Sequence, residues 1–77
     1  MITVLFFAGQ QELIGEDKLK RNESQMKISD LKTKLMEEYP KLSLQNTMTA
    51  INEEYAEDDR IVEDNDIVAF IPPVSGG

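Results

Sequence analysis

The residues with the clearest chemical potential in this sequence are its last two glycines, Gly76 and Gly77. Two residues without side chains can pass through a narrow channel, and the carboxylate that follows them is sterically open. A carboxylate exchanges an oxygen only after that oxygen becomes a leaving group, which adenylation by ATP would achieve. Gly15 is isolated from any glycine-rich run, so the sequence has no phosphate-binding loop. We therefore expect a partner protein to use ATP and activate the terminus, while this chain binds no cofactor.

The composition excludes several other kinds of chemistry. The sequence has no cysteine and no histidine, which excludes disulfides, thiolate metal sites and a histidine general base. Fifteen acidic residues against eight basic ones give a net charge of −7. Binding to nucleic acid or to an anionic membrane requires an excess of Lys and Arg, so neither partner is expected. Partners with basic or apolar surfaces fit this charge better.

The residues before the glycines favour a projecting tail. From Ile67 onward there is no charged side chain, although charged residues make up 30% of the chain. Pro72 and Pro73 cannot donate hydrogen bonds to a sheet, so they end the last strand and stiffen the base of the tail. We predict a flexible tail over 72–77, in which Val74 and Ser75 lead to the glycines. A frayed end without function is the alternative that this pattern alone leaves open.

The remaining residues predict one domain over 1–77 with an α+β fold. The predicted strands are 2–7, 18–26, 49–52, 55–56 and 67–71, with a helical turn at 10–14 that Gly15 ends. The main helix is predicted to begin at Ser29 as its N-cap and to end before Pro40, with an ion pair between Asp30 and Lys34. The first and last strands are the most apolar. We expect them to be central neighbours, with the second strand at an edge of the sheet.

One face of the predicted sheet has no helix to cover it. If Ile2, Val4 and Phe6 face the main helix, then Phe7 faces away from it, because strand side chains alternate. Tyr55 and Ile71 are further apolar candidates for this outer face. An uncovered apolar face predicts a protein interface at Phe7, Tyr55 and Ile71, unless a loop covers it.

The other candidate residues favour structural explanations. The acidic run from Glu53 to Asp59 lacks the spacing and the turn glycine of a calcium loop. We interpret it as a solvated face and expect no metal site. Met26, Met36 and Met48 are interpreted as core filler. The first residues lack a basic leader and are too short to span a bilayer, so a cytoplasmic location is expected.

The sequence resembles the molybdopterin synthase small-subunit family over essentially its whole length. The resemblance is most specific in the last strand and the Pro-Pro-Val-Ser-Gly-Gly end, residues 67–77, and is supported by the opening run at 4–8. Asn65 departs from the family, which usually has glycine there between two acids. Asparagine tolerates left-handed backbone angles, so the turn should survive. The resemblance implies a β-grasp, ubiquitin-like fold, which agrees with the predicted elements.

The same resemblance implies a function. An E1-like enzyme would adenylate the Gly77 carboxylate, and a sulfurtransferase system would convert it to a thiocarboxylate. The tail, Pro72 to Gly76, would enter the large synthase subunit, which supplies the catalytic side chains. Sulfur would pass there to cyclic pyranopterin monophosphate in a heterotetramer of two small and two large subunits. The alternatives are a thiamine-type sulfur carrier, which usually lacks the Pro-Pro pair, a ubiquitin-like protein modifier, and an interaction module with an irrelevant tail.

Overall fold

A computed structural model describes residues 1–7 and 9–73 of the chain. Within these residues there are two helices, α1 (Gly9–Ile14) and α2 (Ile28–Glu38). The strands of the same residues are β1 (Ile2–Leu5), β2 (Lys18–Arg21), β3 (Met26–Lys27), β4 (Met48–Ile51), β5 (Glu54–Ala56), β6 (Ile61–Val62) and β7 (Ile67–Ile71). Tail residues 74–77 lie outside the described part of the chain, so their predicted flexibility stays a prediction.

Five strands form a mixed sheet in the order β2-β1-β7-β4-β5, while β3 and β6 form a separate two-stranded sheet. The central strands β1 and β7 are parallel, with Val4 opposite Val68, and the other neighbours in the large sheet are antiparallel. Two predictions are thereby confirmed: the first and last strands are central neighbours, and the second strand is an edge.

The core lies between the inner face of the sheet and α2. Residues at alternate positions of the central strands are fully buried, as are residues at helical spacing on α2. The predicted strand alternation and the predicted apolar stripe of the helix are both confirmed. The buried apolar residues of this core are Ile2, Val4, Phe6, Ile28, Leu31, Leu35, Leu42, Leu44, Ile51, Val62, Val68 and Phe70. Met26 and Met36 pack against this core, but Met48 is 53% exposed, so its prediction as core filler was wrong. Met48 sits opposite Ile71 on the outer face of the sheet, which α2 does not cover.

The start of α2 differs from the prediction. The N-cap residue is Lys27, not Ser29, and it makes no side-chain capping hydrogen bond. The backbone N–H groups of Ile28 and Ser29 donate instead to the carbonyls of Arg60 and Asp58, each over 2.9 Å. A neighbouring loop therefore satisfies the first helical donors, which removes the need for a side-chain cap. The end was predicted correctly, because α2 stops at Glu38, two residues before the proline.

The strand predicted over 18–26 is two strands. Gln25 has a positive φ of 60° and interrupts the extended backbone after Arg21. The chain then changes sheet, since Met26 pairs with Val62 instead of continuing along β1. The first strand also ends earlier than predicted, at Leu5, although Phe6 remains buried on the inner face.

An ionic cluster joins the end of β2 to α2. Arg21 Nε donates to Glu23 over 2.7 Å and Arg21 Nη1 donates to Glu38 over 2.9 Å. Lys34 Nζ lies 3.3 Å from Glu23, so Lys34 pairs there and not with Asp30 as predicted. The hydrogen bond from Arg21 lowers the pKa of Glu23 to about 2, because it stabilises the charged carboxylate. The Glu23 side chain is only 18% exposed.

This cluster predicts an acid-sensitive contribution to stability. The pKa of Glu23 is lower in the folded chain than the roughly 4.3 of an unfolded chain. The charged Glu23 therefore contributes its full stabilisation at pH values above the unfolded pKa. The contribution is lost as the pH falls through the folded pKa of about 2. Glu23→Gln should therefore reduce the drop in unfolding free energy between neutral pH and pH ~2, measured by urea denaturation. Glu37→Gln, the same change at an exposed position of α2 outside the ionic cluster, is the control. Identical pH slopes for wild type and Glu23→Gln would contradict the assignment.

The buried face of α2 predicts a large effect of truncating Leu35. Leu35 is fully buried, so Leu35→Ala should lower the free energy of unfolding by about 2–5 kcal/mol through lost burial and a residual cavity. Leu13→Ala removes the same atoms from a side chain that is 48% exposed. It should cost less than about 1 kcal/mol. Equal costs in chemical denaturation would show that α2 does not pack as described.

Candidate functional site

The outer face of the sheet contains a continuous row of side chains across all five strands. The strand registers place Lys18 opposite Leu5, Leu5 opposite Ala69, Ala69 opposite Ala50, and Ala50 opposite Tyr55. Because the neighbouring residues in β1 and β7 are buried against α2, this row points away from the helix. The row therefore belongs to the face that the main helix leaves uncovered.

A groove of about 620 Å³ follows this row from Leu5 on β1 to Tyr55 on β5. Its middle is low because Ala50 and Ala69 are small, whereas Ile67 and Ile71 stand two residues to either side of Ala69 along β7. The lining residues are Leu5, Phe7, Ala50, Asn52, Glu53, Tyr55, Ile67, Ala69 and Ile71. We call this concavity the outer groove.

The structure brings the three predicted interface residues together. Phe7, Tyr55 and Ile71 all line the outer groove, although they come from distant parts of the sequence. Phe7 is 39% exposed and Tyr55 is 71% exposed, so large apolar surface remains accessible there. Their common placement is thus confirmed, and their role in binding a partner stays a prediction.

The base of the tail adjoins the outer groove. Pro72 is half-buried and Pro73 is exposed directly after β7. Both line a second concavity of about 320 Å³, which also includes Phe7 and Gln10. Phe7 is therefore shared by the outer groove and the tail base. The other predicted tail residues, 74–77, lie outside the described part of the chain.

Two glutamines fix the backbone around Phe7. The backbone N–H of Phe7 donates to Gln10 Oε1 over 3.1 Å, and Gln11 Nε2 donates to the Phe6 carbonyl over 2.8 Å. Helix α1 presents both side chains and ends at Gly15, whose φ of 87° confirms the predicted left-handed stop. The sequence pattern predicts the helical turn but not these two hydrogen bonds. Two adjacent glutamines in a short helix that follows a strand are the signal that could have indicated them.

Asparagines fix the start of β7. Asn52 Oδ1 accepts from the backbone N–H of Ile67, and Asn52 Nδ2 donates to Asp66, each over 2.9 Å. Asn52 has a φ of 52° and Asn65 has a φ of 71°. The expectation that Asn65 adopts left-handed angles in its turn is therefore confirmed. The role of Asn52 was missed, because its partners are fourteen and fifteen residues away in sequence.

The acidic run is exposed, as predicted. Its five carboxylates lie on the surface, and Asp58 accepts from Lys32 Nζ over 2.9 Å. Across residues 1–7 and 9–73, no group of three acidic side chains is placed to bind a metal ion. In the same part of the chain, neither helix has the length and apolar character needed to cross a membrane.

A mixed sheet in this order, with one main helix on its inner face, is the ubiquitin-like β-grasp fold. SAMP1 from Haloferax volcanii superposes with a TM-score of 0.76 at 22% identity, covering 99% of this chain and 98% of that one. At that identity the likeness shows the fold alone.

The chain belongs to the ThiS family, whose model matches residues 4–77. The molybdopterin synthase sulfur carrier subunit of Dictyostelium discoideum is 39% identical over 96% of this chain and 93% of its own length. Among solved structures, a complex of subunits 1 and 2 of the molybdopterin-converting factor from Helicobacter pylori contains a similar chain. That chain is 26% identical with a TM-score of 0.69, covering 99% of this chain and 97% of the other.

Proposed function

We propose that this protein is the sulfur carrier subunit of a molybdopterin synthase and that the Gly77 carboxylate is the group that carries sulfur. The observation that supports this most directly is the family match through residue 77, together with a sulfur carrier relative that is 39% identical. The Pro-Pro-Val-Ser-Gly-Gly end supports it independently. In this proposal Gly77 is a carried substrate and not a catalytic residue.

The proposed chemistry begins outside this chain. A carboxylate oxygen of Gly77 attacks the α-phosphorus of ATP on an E1-like activating enzyme, and pyrophosphate leaves. A sulfur nucleophile from a sulfurtransferase, a persulfide in chemical class, then attacks the acyl carbon, and AMP leaves with the bonding pair. Reductive cleavage of the S–S bond by a thiol gives the thiocarboxylate. ATP is thus a substrate of the partner, and the carrier needs no cofactor of its own.

The thiocarboxylate then donates its sulfur to cyclic pyranopterin monophosphate on the large synthase subunit. Pro72 to Gly76 would bind in a channel of that subunit and bring Gly77 to its catalytic side chains. The proline pair supports this role, because Pro72 and Pro73 follow β7 directly and neither can donate a hydrogen bond that would continue the sheet. Residues without side chains at 76 and 77 suit a narrow channel.

The large subunit is also the proposed partner of the outer groove. An accessible apolar groove beside the tail base allows one protein to bind the domain and the tail together. The Helicobacter pylori complex of subunits 1 and 2 supports such a pairing. We propose an assembly of two small and two large subunits, with Phe7, Tyr55 and Ile71 at each interface.

Removing Gly77 tests the carrier role. The deletion should abolish molybdopterin formation in a mixture of activating enzyme, ATP, sulfur donor, large subunit and precursor, because the carboxylate no longer reaches either active site. The free energy of unfolding should stay within about 0.5 kcal/mol of wild type, because the deletion changes no residue of the described core. Lys41→Ala, an exposed change in a loop, should retain activity. Full activity of the deletion variant would refute the proposal.

Introducing a charge at Phe7 tests the docking face. Phe7→Asp should raise the Kd for the large subunit at least about tenfold, because the apolar contact is lost and a carboxylate is desolvated. Leu13→Asp is the matched control, since Leu13 is 48% exposed and lies outside the outer groove. Calorimetric titration measures binding, and circular dichroism verifies folding. Unchanged affinity in a folded Phe7→Asp protein would show that docking uses another face.

A further inference from the structure

Charged side chains of opposite sign lie at opposite sides of the outer face, with the outer groove between them. Lys18 and Lys20 lie opposite Leu5 and Thr3 on the edge strand β2, so both belong to the outer face. Glu53, in the turn between β4 and the other edge strand β5, lines the groove. The two edge strands are four strand spacings apart, roughly 19 Å. An otherwise acidic protein thus places two cations together at one end of its apolar face.

These two lysines have no ion-pair partner within residues 1–7 and 9–73. The cations in the described ion pairs are the N-terminal amine, Arg21, Lys32 and Lys34. Glu16 and Asp17 line a shallow concavity with both lysines, but neither acid forms an ion pair with them in this part of the chain. The ammonium groups are therefore available to an external carboxylate.

The concave shape of the outer groove favours a partner with a convex surface. The groove is lowest at Ala50 and Ala69, in the middle of the five-strand row. A second copy of this chain would present the same concave surface, so two grooves would face each other across a gap. A convex partner fills the groove, and dispersion contacts require such close filling.

We propose that the outer groove accepts a protruding apolar side chain of the large subunit, with a carboxylate of that subunit beside Lys18 and Lys20 and a cation beside Glu53. The partner's identity rests on the function proposed above, whereas the shape and charge requirements come from this chain alone. This charge pattern favours one orientation of the large subunit on the outer face. Rotating the partner by half a turn on the face would place like charges together at both ends.

This orientation has a consequence for the tail. Phe7 lines both the outer groove and the tail base, so a partner aligned along the lysine–Glu53 axis has a defined direction relative to Pro72. The lysines act as positioning residues, because they orient the domain from which the tail extends.

Reversing the charge of the two lysines tests the proposed orientation of the large subunit. The double variant Lys18→Glu/Lys20→Glu should slow association with the large subunit about tenfold or more at low salt. The difference should shrink at about 0.5 M salt as the charges are screened. Lys27→Glu/Lys41→Glu makes the same change in net charge at exposed positions outside the groove, and should alter the association rate less than about threefold. Equal effects of both pairs, or no effect of either, would overturn the proposal.

Filling the groove tests the shape. Ala69→Leu should raise the Kd for the large subunit about tenfold or more, because the added side chain occupies the groove floor, while Ala69→Ser should change it less than about threefold. Both proteins should remain folded, since Ala69 lies on the outer face of β7. Unchanged binding of Ala69→Leu would contradict the proposal that a side chain of the large subunit fills the outer groove. Phe7→Asp could abolish docking while the lysine and Ala69 variants do not. The proposed charge orientation and the proposed side chain in the groove would then be wrong, although the docking face itself would remain supported.

Discussion

The parallel pairing of β1 with β7 is the constraint on which the remaining structure depends. It joins the two ends of the chain at the centre of the sheet, with Thr3 N–H donating to the Asp66 carbonyl over 3.0 Å. On its inner side, Val4 and Val68 are fully buried with the residues of α2. On its outer side, Leu5 and Ala69 line the groove. The same strand β7 continues into Pro72, so one ladder positions the core, the docking face and the tail base.

The proposed division of chemistry between carrier and partners agrees with the composition of the chain. Without histidine or cysteine, it lacks the usual general bases and nucleophiles, and its described acidic residues form no metal-binding group. A small domain that buries its core on one face of its five-stranded sheet still leaves the other face available. In this account the fold presents a carboxylate and a docking surface, and its partners perform the activation and the sulfur transfer.

Local sequence patterns predicted most of this fold, and non-local contacts explain the errors. Alternation in 2–7 and 67–71 and the helical spacing of Leu31 and Leu35 were sufficient to place the central strands and the main helix. The Ser29 cap was wrong because carbonyls of a distant loop satisfy the helix start. The same limit explains why Asn52 was missed. The outer groove could be predicted only as a face, because its shape depends on the register that places Ala50 opposite Ala69.

The central claim is that the Gly77 carboxylate accepts sulfur, and intact-protein mass spectrometry tests it most directly. The purified carrier would be incubated with ATP, the activating enzyme and a sulfur donor, and its mass compared with that of a sample lacking ATP. The account predicts an ATP-dependent mass increase equal to the exchange of one oxygen for one sulfur, localised by fragmentation to Gly77. An unchanged mass, in a mixture that converts a known sulfur carrier, would contradict it.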